Sequence, residues 1–158
     1  MAAPETTARS TPLGIMLDDG YSTKIAFAAD PDVSFWEKDV QPPGLDGGDA
    51  IETTTMHNTT YRTFSARSLA TLTEMSSTVA YDPDLYDEAL ALINVEGSIS
   101  VHFPDLSTLD FFGYLKSFAP SALEEGSQPV ATITIVPTNY DTANAVEASP
   151  VMTEVSGT

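Results

Sequence analysis

Two histidines, His57 and His102, are the candidate acid–base residues of this 158-residue sequence. A covalent mechanism would need one of them, or a lysine, poised beside a serine or threonine nucleophile. His57 stands in a polar, threonine-rich stretch, and His102 lies on the polar side of an alternating segment, so we interpret both as hydrogen-bonding surface or interface residues. The G-x-S-x-G turn of serine hydrolases is absent from the sequence. We therefore expect that the chain is not an enzyme.

Three other patterns could indicate a ligand site, and each has a simpler interpretation. The segment DPDLYDE, residues 82–88, superficially resembles a calcium-binding loop, but Tyr86 stands where a third ligand is needed and no glycine follows it. Asn58 begins the glycosylation pattern N-T-T, which would matter only on a secretory route. The glycines lack the strand–glycine–helix setting that binds phosphate. We expect no metal and no cofactor.

Charge and cysteine content narrow the possible partners. Six Lys and Arg residues against 23 Asp and Glu give a net charge of −17, and the field of such a chain repels polyanions. The absence of cysteine excludes disulfides and thiolate zinc sites. The sequence contains neither an apolar stretch of about 20 residues nor a basic start followed by an apolar run. We expect a soluble chain without a signal peptide, which neither grips nucleic acid nor enters a membrane.

Composition divides the chain into three parts. Residues 1–13 and 140–158 are rich in small and polar residues, whereas the strand-like segments lie in residues 14–139. We predict an N-terminal arm, a β domain and a C-terminal arm, and we expect the arms to become ordered only against a partner. A chain of this length is long enough for one hydrophobic core.

The β domain is predicted to be a β-sandwich or β-barrel with one flanking helix. Asp82 as N-cap and Pro83 as first helical residue open a helix that runs to Asn94, with its apolar stripe against a sheet. The stripe consists of Leu85, Ala89, Leu92 and Ile93. Segments with strand composition are residues 22–28, 33–40, 70–81, 98–103, 107–118 and 130–136. The first two are separated by Asp-Pro-Asp and are predicted to form a hairpin.

Two regions do not suit a core. Residues 41–50 contain two prolines and three glycines, which predicts a long loop without regular structure. The polar, β-prone ribbon that follows, residues 49–64, shows no apolar period. In residues 107–118 both faces are apolar, with Leu109, Phe111 and Leu115 on one side and Phe112, Tyr114 and Phe118 on the other. One of those faces must pack outside the core.

The order of five motifs resembles the major tail tube protein of long-tailed, siphovirus-like bacteriophages. The motifs are PPGLDGGDAIETTTMHNTTYRTF, VAYDPDLYDEAL, ISVHFPD, LDFFGYLKSFAP and ATITIVPTN. The resemblance covers about residues 22–139 and leaves the two arms unplaced. It implies a β-sandwich subunit that polymerises as hexameric rings, stacked into a hollow conduit for DNA.

The resemblance also implies roles for particular residues. The loop and the ribbon would form a subunit interface through Pro43, Gly44, Leu45, Gly48, Thr54, Met56 and His57. Candidates for the lumen wall, on the more polar faces of predicted strands, are Glu74, Thr78, Ser100, His102 and Asp110. Acidic and hydroxyl-bearing walls would let DNA slide without adhering to them.

The implied partners are further copies of the chain, with a tape measure protein, a tail terminator and a distal tail protein. The implied location is the tail of a virion assembled in the host cytoplasm. Three alternatives remain open at this point: a capsid decoration protein, which would form trimers, a tube protein of a related secretion or contractile system, and a hydrolase with an unusual site.

Overall fold

Alternating apolar side chains build one large antiparallel sheet in the computed structural model, which describes residues 23–154. The only helix in that part of the chain, α1, spans Asp84–Leu92. The strands are β1 Lys24–Phe27, β2 Trp36–Gln41, β3 Leu45–Asp46, β4 Ile51–Glu52, β5 Phe64–Ser65, β6 Thr71–Leu72, β7 Met75–Ala80, β8 Gly97–His102, β9 Thr108–Pro120, β10 Val130–Pro137, β11 Tyr140–Asp141, β12 Val146–Glu147 and β13 Val151–Thr153. The prediction of a mainly β fold with one helix is confirmed. No helix in the described residues is long and apolar enough to cross a membrane.

The large sheet has the strand order β1-β8-β9-β10-β7-β2, and β13 pairs with β9 beyond the end of β10. The predicted hairpin of the first two strands is therefore wrong, because β1 and β2 lie at opposite ends of this order. The sheet curls until these two edges approach each other. There the backbone N–H of Ile25 donates to the Glu37 carboxylate at 3.0 Å, and the rings of Phe27 and Phe35 lie 5.9 Å apart. The Glu37 side chain thus connects β1 and β2 at a seam between the two sheet edges, where the strands form no backbone ladder with each other.

One face of the sheet carries the core. Strands β8 and β10 alternate as predicted, so that Ile99 and Val101 are buried while Ser100 between them is half-buried. In β7 the sequence leaves the core face undecided, and the structure buries Met75, Ser77 and Val79. The hydroxyl of buried Ser77 donates to the carbonyl of Asp39, so this polar group has a partner in β2.

Helix α1 lies over the core through Leu85, Ala89 and Leu92, as the stripe predicts. It begins at Asp84 rather than Pro83, and Pro83 rather than Asp82 is the N-cap residue, although the Asp82 carboxylate still accepts the N–H of Asp84 at 3.1 Å. The predicted end at Asn94 is also wrong. Ile93 already has an extended ψ of 126°, and it is half-buried beyond the helix, forming a bridge to Leu115 of β9.

We expect Leu92→Ala to lower the free energy of unfolding by about 2–5 kcal/mol, the usual effect of emptying a fully buried leucine site. The side chain of Leu92 is 3% exposed. Leu90→Ala is the matched control on the same helix, since Leu90 is 65% exposed and its loss should change stability by about 0.5 kcal/mol or less. Urea unfolding of the two variants measures the difference, and equal midpoints would contradict the burial of the stripe.

A bulge in β9 changes the predicted faces of residues 107–118. Thr134 of β10 pairs with Ser117, whereas the next residue, Ile135, pairs with Leu115, so Lys116 is an extra residue in β9. The extra residue moves Phe118 onto the core side, where its ring lies 6.2 Å from that of Phe35. The prediction that Phe118 shares a face with Phe112 and Tyr114 is therefore wrong.

The C-terminal segment is attached to the sheet along part of its length. Strands β11 and β12 pair with each other, and β13 pairs with the first residues of β9, with Val151 opposite Asp110. Residues 140–154 thus form ladders within their own chain, and the role of residues 140–158 as an arm in an assembly stays a prediction. The predicted N-terminal arm, residues 1–13, lies outside the described residues, as do residues 14–22 and 155–158.

Candidate subunit interface and lumenal face

Residues 42–74, which connect β2 to β7, form a long excursion from the sheet. Two short ladders hold its limbs together, β3 with β6 and β4 with β5. The side chain of Thr73 accepts the N–H of Gly44 at 2.8 Å, and the carbonyl of Gly44 accepts the N–H of Thr73 at 2.8 Å. The prediction of a loop without regular structure over residues 41–50 is therefore wrong for Leu45–Asp46, and also for Gln41, which is the last residue of β2. Backbone pairing between the two limbs orders this segment, although its proline and glycine content predicts an irregular loop.

The polar ribbon, residues 49–64, is a strand only at Ile51–Glu52 and at Phe64. Its middle, residues 53–63, is a turn that we call the tip. Where the tip begins and ends, the N–H of Thr53 donates to the carbonyl of Thr63 at 2.8 Å, and the N–H of Thr63 donates to the hydroxyl of Thr54 at 3.0 Å. The threonines thus serve as hydrogen-bonding residues of a turn rather than as residues of a continuous strand.

The excursion exposes large apolar side chains that have no core beneath them. Leu45 is 78% exposed and Met56 is 100% exposed. Of the other predicted interface residues, Gly44, Gly48, Thr54 and His57 are exposed and Pro43 is half-buried. Sequence reasoning missed four further exposed apolar residues of the excursion: Ile51, Tyr61, Phe64 and Leu69. These residues are apolar, but their spacing follows neither the strand period of two nor the helix period of 3.6, and the segment is unsuited to a core. That combination is the sequence signal that could have identified them as exposed interface residues.

Three of the lumen candidates come together on the outer face of the sheet, opposite the core. Ser100 lies directly across from Asp110, and its hydroxyl donates to the Asp110 carboxylate. In the adjacent row, Nδ1 of His102 lies 3.2 Å from the hydroxyl oxygen of Thr108. The long strand β9 therefore carries a polar, hydrogen-bonded patch at its N-terminal end.

The other two candidates lie farther along the same outer face. Thr78 of β7 is paired with Thr132 of β10, and the next pair of that face, Ser76 with Thr134, adds two more hydroxyls that sequence reasoning did not propose. Glu74 lies just before β7 and its carboxylate is 3.0 Å from the ammonium group of Lys116. Both partners of that ion pair are about half exposed. The outer face thus carries hydroxyl groups and a few charges at these positions, while Phe112 and Tyr114 add two aromatic rings to the same face of β9, between Asp110 and Lys116.

Among the described residues, the two carboxylates with perturbed pKa values lie in turns and not on this face. The hydroxyl and the N–H of Ser107 both donate to Asp105, which lowers the pKa of that carboxyl to about 2. The side-chain amide of Asn144 donates to Asp141 and lowers its pKa. A lowered pKa means that these hydrogen bonds stabilise the fold above the ordinary carboxyl pKa and are lost as the pH falls through the folded value. They stabilise connections between strands. In residues 23–154, no three metal-ligating side chains form a cluster.

Comparisons with known proteins find likeness at the level of structure. No family model and no curated protein matches the chain. A chain in the virion of a native gene transfer agent particle superposes with a TM-score of 0.61 at 9% identity, over 87% of this chain and 99% of that one. A chain in the six-fold symmetrised baseplate of the anti-feeding prophage gives 0.56 at 9% identity, over 85% and 92%.

A third likeness is to a chain in the tail of an empty gene transfer agent particle, computed with helical refinement and C6 symmetry. Its TM-score is 0.55 at 7% identity, over 89% of this chain and 100% of that one. At such identities the superpositions establish a shared fold. The chain therefore has a fold that also occurs in chains of virion, tail and baseplate particles.

Proposed function

We propose that this chain is the subunit of a phage tail tube, which polymerises as stacked hexameric rings into a hollow conduit for DNA during ejection. The observation that carries the proposal is the fold likeness to a chain in a tail computed with helical and C6 symmetry, which extends over almost the whole of both chains. The chain acts as a structural component and not as an enzyme. Its place is the virion tail, of the siphovirus type, assembled in the host cytoplasm.

The excursion supports polymerisation. A monomer in water gains nothing from exposing Leu45, Met56 and Tyr61 on one protruding segment, whereas burial of such a group against another subunit is favourable. Head-to-tail contacts between different surfaces generate rings or helical filaments. The excursion is suited to be one of those surfaces, with Pro43, Gly44, Gly48, Thr54 and His57 beside the apolar anchors.

The outer face of the sheet supports the conduit. We assign Glu74, Thr78, Ser100, His102 and Asp110 to the lumen wall. Hydroxyl groups and carboxylates carry no positive charge, so DNA would not release counterions by contact with them and would slide past. The tape measure, tail terminator and distal tail proteins would then be the partners inside the tube and at its two ends.

A second candidate function is the tube of a related contractile or secretion particle. The likeness to a chain of the anti-feeding prophage baseplate is the observation that favours it. In that case the conduit would serve a cargo other than DNA, and a sheath would surround the tube. A sheath gene beside the gene for this chain would favour this function over a tail tube of siphovirus type.

Negative-stain electron microscopy of the purified chain tests the proposal. We expect six-fold rings, or tubes with a stain-filled lumen, at concentrations at which the protein self-associates. Compact trimers would overturn the proposal and would favour a capsid decoration protein. A strictly monomeric protein at all concentrations would also contradict it.

A further inference from the structure

We infer that the tip, residues 53–63, is a preformed docking element for a second copy of this chain, with Met56 as its anchor and Asn58 as the residue that positions it. The inference rests on the proposed function, because it specifies how one subunit engages another. It assigns a role to Asn58, whose N-T-T motif the proposed function leaves unexplained.

The side chain of Asn58 makes hydrogen bonds on both sides of the tip. Its Oδ1 accepts the N–H of Thr55 at 2.9 Å, and its Nδ2 donates to the carbonyl of Tyr61 at 2.9 Å. A weaker bond joins Nδ2 to the hydroxyl of Thr63 at 3.4 Å, and the backbone N–H of Asn58 donates to the carbonyl of Thr55 at 3.1 Å. One amide thus joins Thr55 on one side of the tip to Tyr61 and Thr63 on the other.

This network holds an exposed turn in one conformation without help from the core. Ordering a backbone segment at the moment of binding opposes association, because each fixed residue loses conformational entropy. A turn that is already ordered avoids most of that loss. The hydrogen bonds of Asn58 are therefore expected to strengthen assembly more than they strengthen the fold of the monomer.

Met56 is the apolar group that the ordered turn presents. It is 100% exposed, and Tyr61, whose carbonyl Asn58 binds, is 81% exposed. The flexible thioether side chain of methionine adapts to irregular apolar surfaces, and aromatic residues are enriched among the residues that dominate interfaces. The two side chains form the apolar part of the docking element.

Charge indicates that the occupant is a second copy. Residues 53–73 contain no acid but include Arg62 and Arg67, so they carry +2, and the remaining residues carry four bases and 23 acids, or 4 − 23 = −19. Arg62 forms an exposed ion pair with Glu52 at 3.2 Å, and such exposed pairs contribute little to stability. Residues 53–73 of the excursion are therefore electrostatically complementary to the acidic remainder of another subunit.

The test measures assembly and tip order in the full-length chain. Met56→Ala should raise the concentration needed for ring or tube formation at least tenfold, with tip amides as protected from hydrogen exchange as in the wild type. Asn58→Ala should raise it similarly, with faster exchange of the Thr55 and Thr63 amides and an unchanged unfolding midpoint. Leu123→Ala is the control, because Leu123 is 67% exposed and lies outside the excursion; it should assemble as the wild type does.

A charge reversal tests the choice of occupant. Arg62→Glu and Lys116→Glu each change the net charge by −2 and each remove one exposed ion pair. At low salt, Arg62→Glu should weaken assembly at least fivefold more than Lys116→Glu does, and the difference should shrink as salt screens the charges. Equal effects of the two variants at every salt concentration would overturn the assignment of a second copy's acidic body as the occupant.

The results separate this inference from the proposed function. If the wild type forms tubes and both Met56→Ala and Asn58→Ala form them at the wild-type concentration, the docking role of the tip is wrong and the tail tube proposal stands. If the wild type forms neither rings nor tubes, the tail tube proposal fails and the inference fails with it.

Discussion

Deletion of residues 45–48 abolishes tube formation and leaves the chain folded. The deletion removes β3 and the glycines that follow it, and with them the ladder to β6 that orients the excursion. The core should survive, because Leu45 is 78% exposed and its ladder partner Leu72 is the excursion's single residue in the core cluster. Electron microscopy counts the tubes, and far-ultraviolet circular dichroism with thermal unfolding reports the fold.

An equally long deletion in another exposed connection is the control for this experiment. Residues 124–127 lie between β9 and β10, where all residues from 121 to 129 are exposed. Their deletion should preserve both the fold and the tubes. If the chain without residues 45–48 still forms long tubes, the excursion is not a subunit interface. If that chain loses its native circular dichroism, the excursion belongs to the folding unit.

Lysine at Glu74 and Asp110 slows DNA release from assembled particles far more than lysine at Asp87 and Glu88. The first pair lies on or beside the outer face of the sheet that we assign to the lumen, whereas Asp87 and Glu88 are exposed residues of helix α1. Both double variants change the net charge equally. Position, and not total charge, should therefore decide the effect.

The magnitude follows from counterion release. If each subunit gains two lysine–phosphate contacts, its affinity for DNA falls about tenfold between 50 and 200 mM salt. Release from the Glu74/Asp110 variant should accordingly be slowest at low salt and approach the wild-type rate as salt rises. Particles carrying either pair are triggered in vitro and DNA release is timed across a salt series. Equal and salt-independent rates for the two variants would contradict the assignment of the outer face to the lumen wall.

The sequence alone determined those elements in which a local period matches a buried face. In residues 98–103 and 130–136 alternate residues are apolar, and the structure buries Ile99, Val101, Ala131 and Ile133 accordingly. The stripe of α1 was predictable for the same reason, since a period of 3.6 places Leu85, Ala89 and Leu92 on one side. The acidic charge and the unsuitability of residues 41–64 for a core were also visible without a structure.

Only the tertiary structure decided which strands pair, because ladder partners are chosen by contacts far apart in sequence. Strands β1 and β2 are neighbours in the chain but lie at opposite ends of the sheet order, where Glu37 bridges their seam. The extra residue Lys116 can be recognised only from the pairing of β9 with β10. It moves Phe118 to the face of the sheet opposite the one that alternation predicts. At Gly113 a Cβ atom would lie 2.5 Å from the carbonyl oxygen of Val136, so this position requires glycine. No local sequence pattern predicts that requirement.

The same distinction applies to the candidate site. Sequence placed Met56 and His57 in a polar ribbon, and that ribbon's polarity allowed either a strand or a turn. The structure made it a turn, because the amide of Asn58 satisfies backbone groups at Thr55 and Tyr61 that a strand would have paired with a neighbour. The side chains of Ser100 and Asp110 were each assigned to a polar face by alternation. Their direct pairing was decided by the register of β8 on β9, which depends on the packing of the whole sheet.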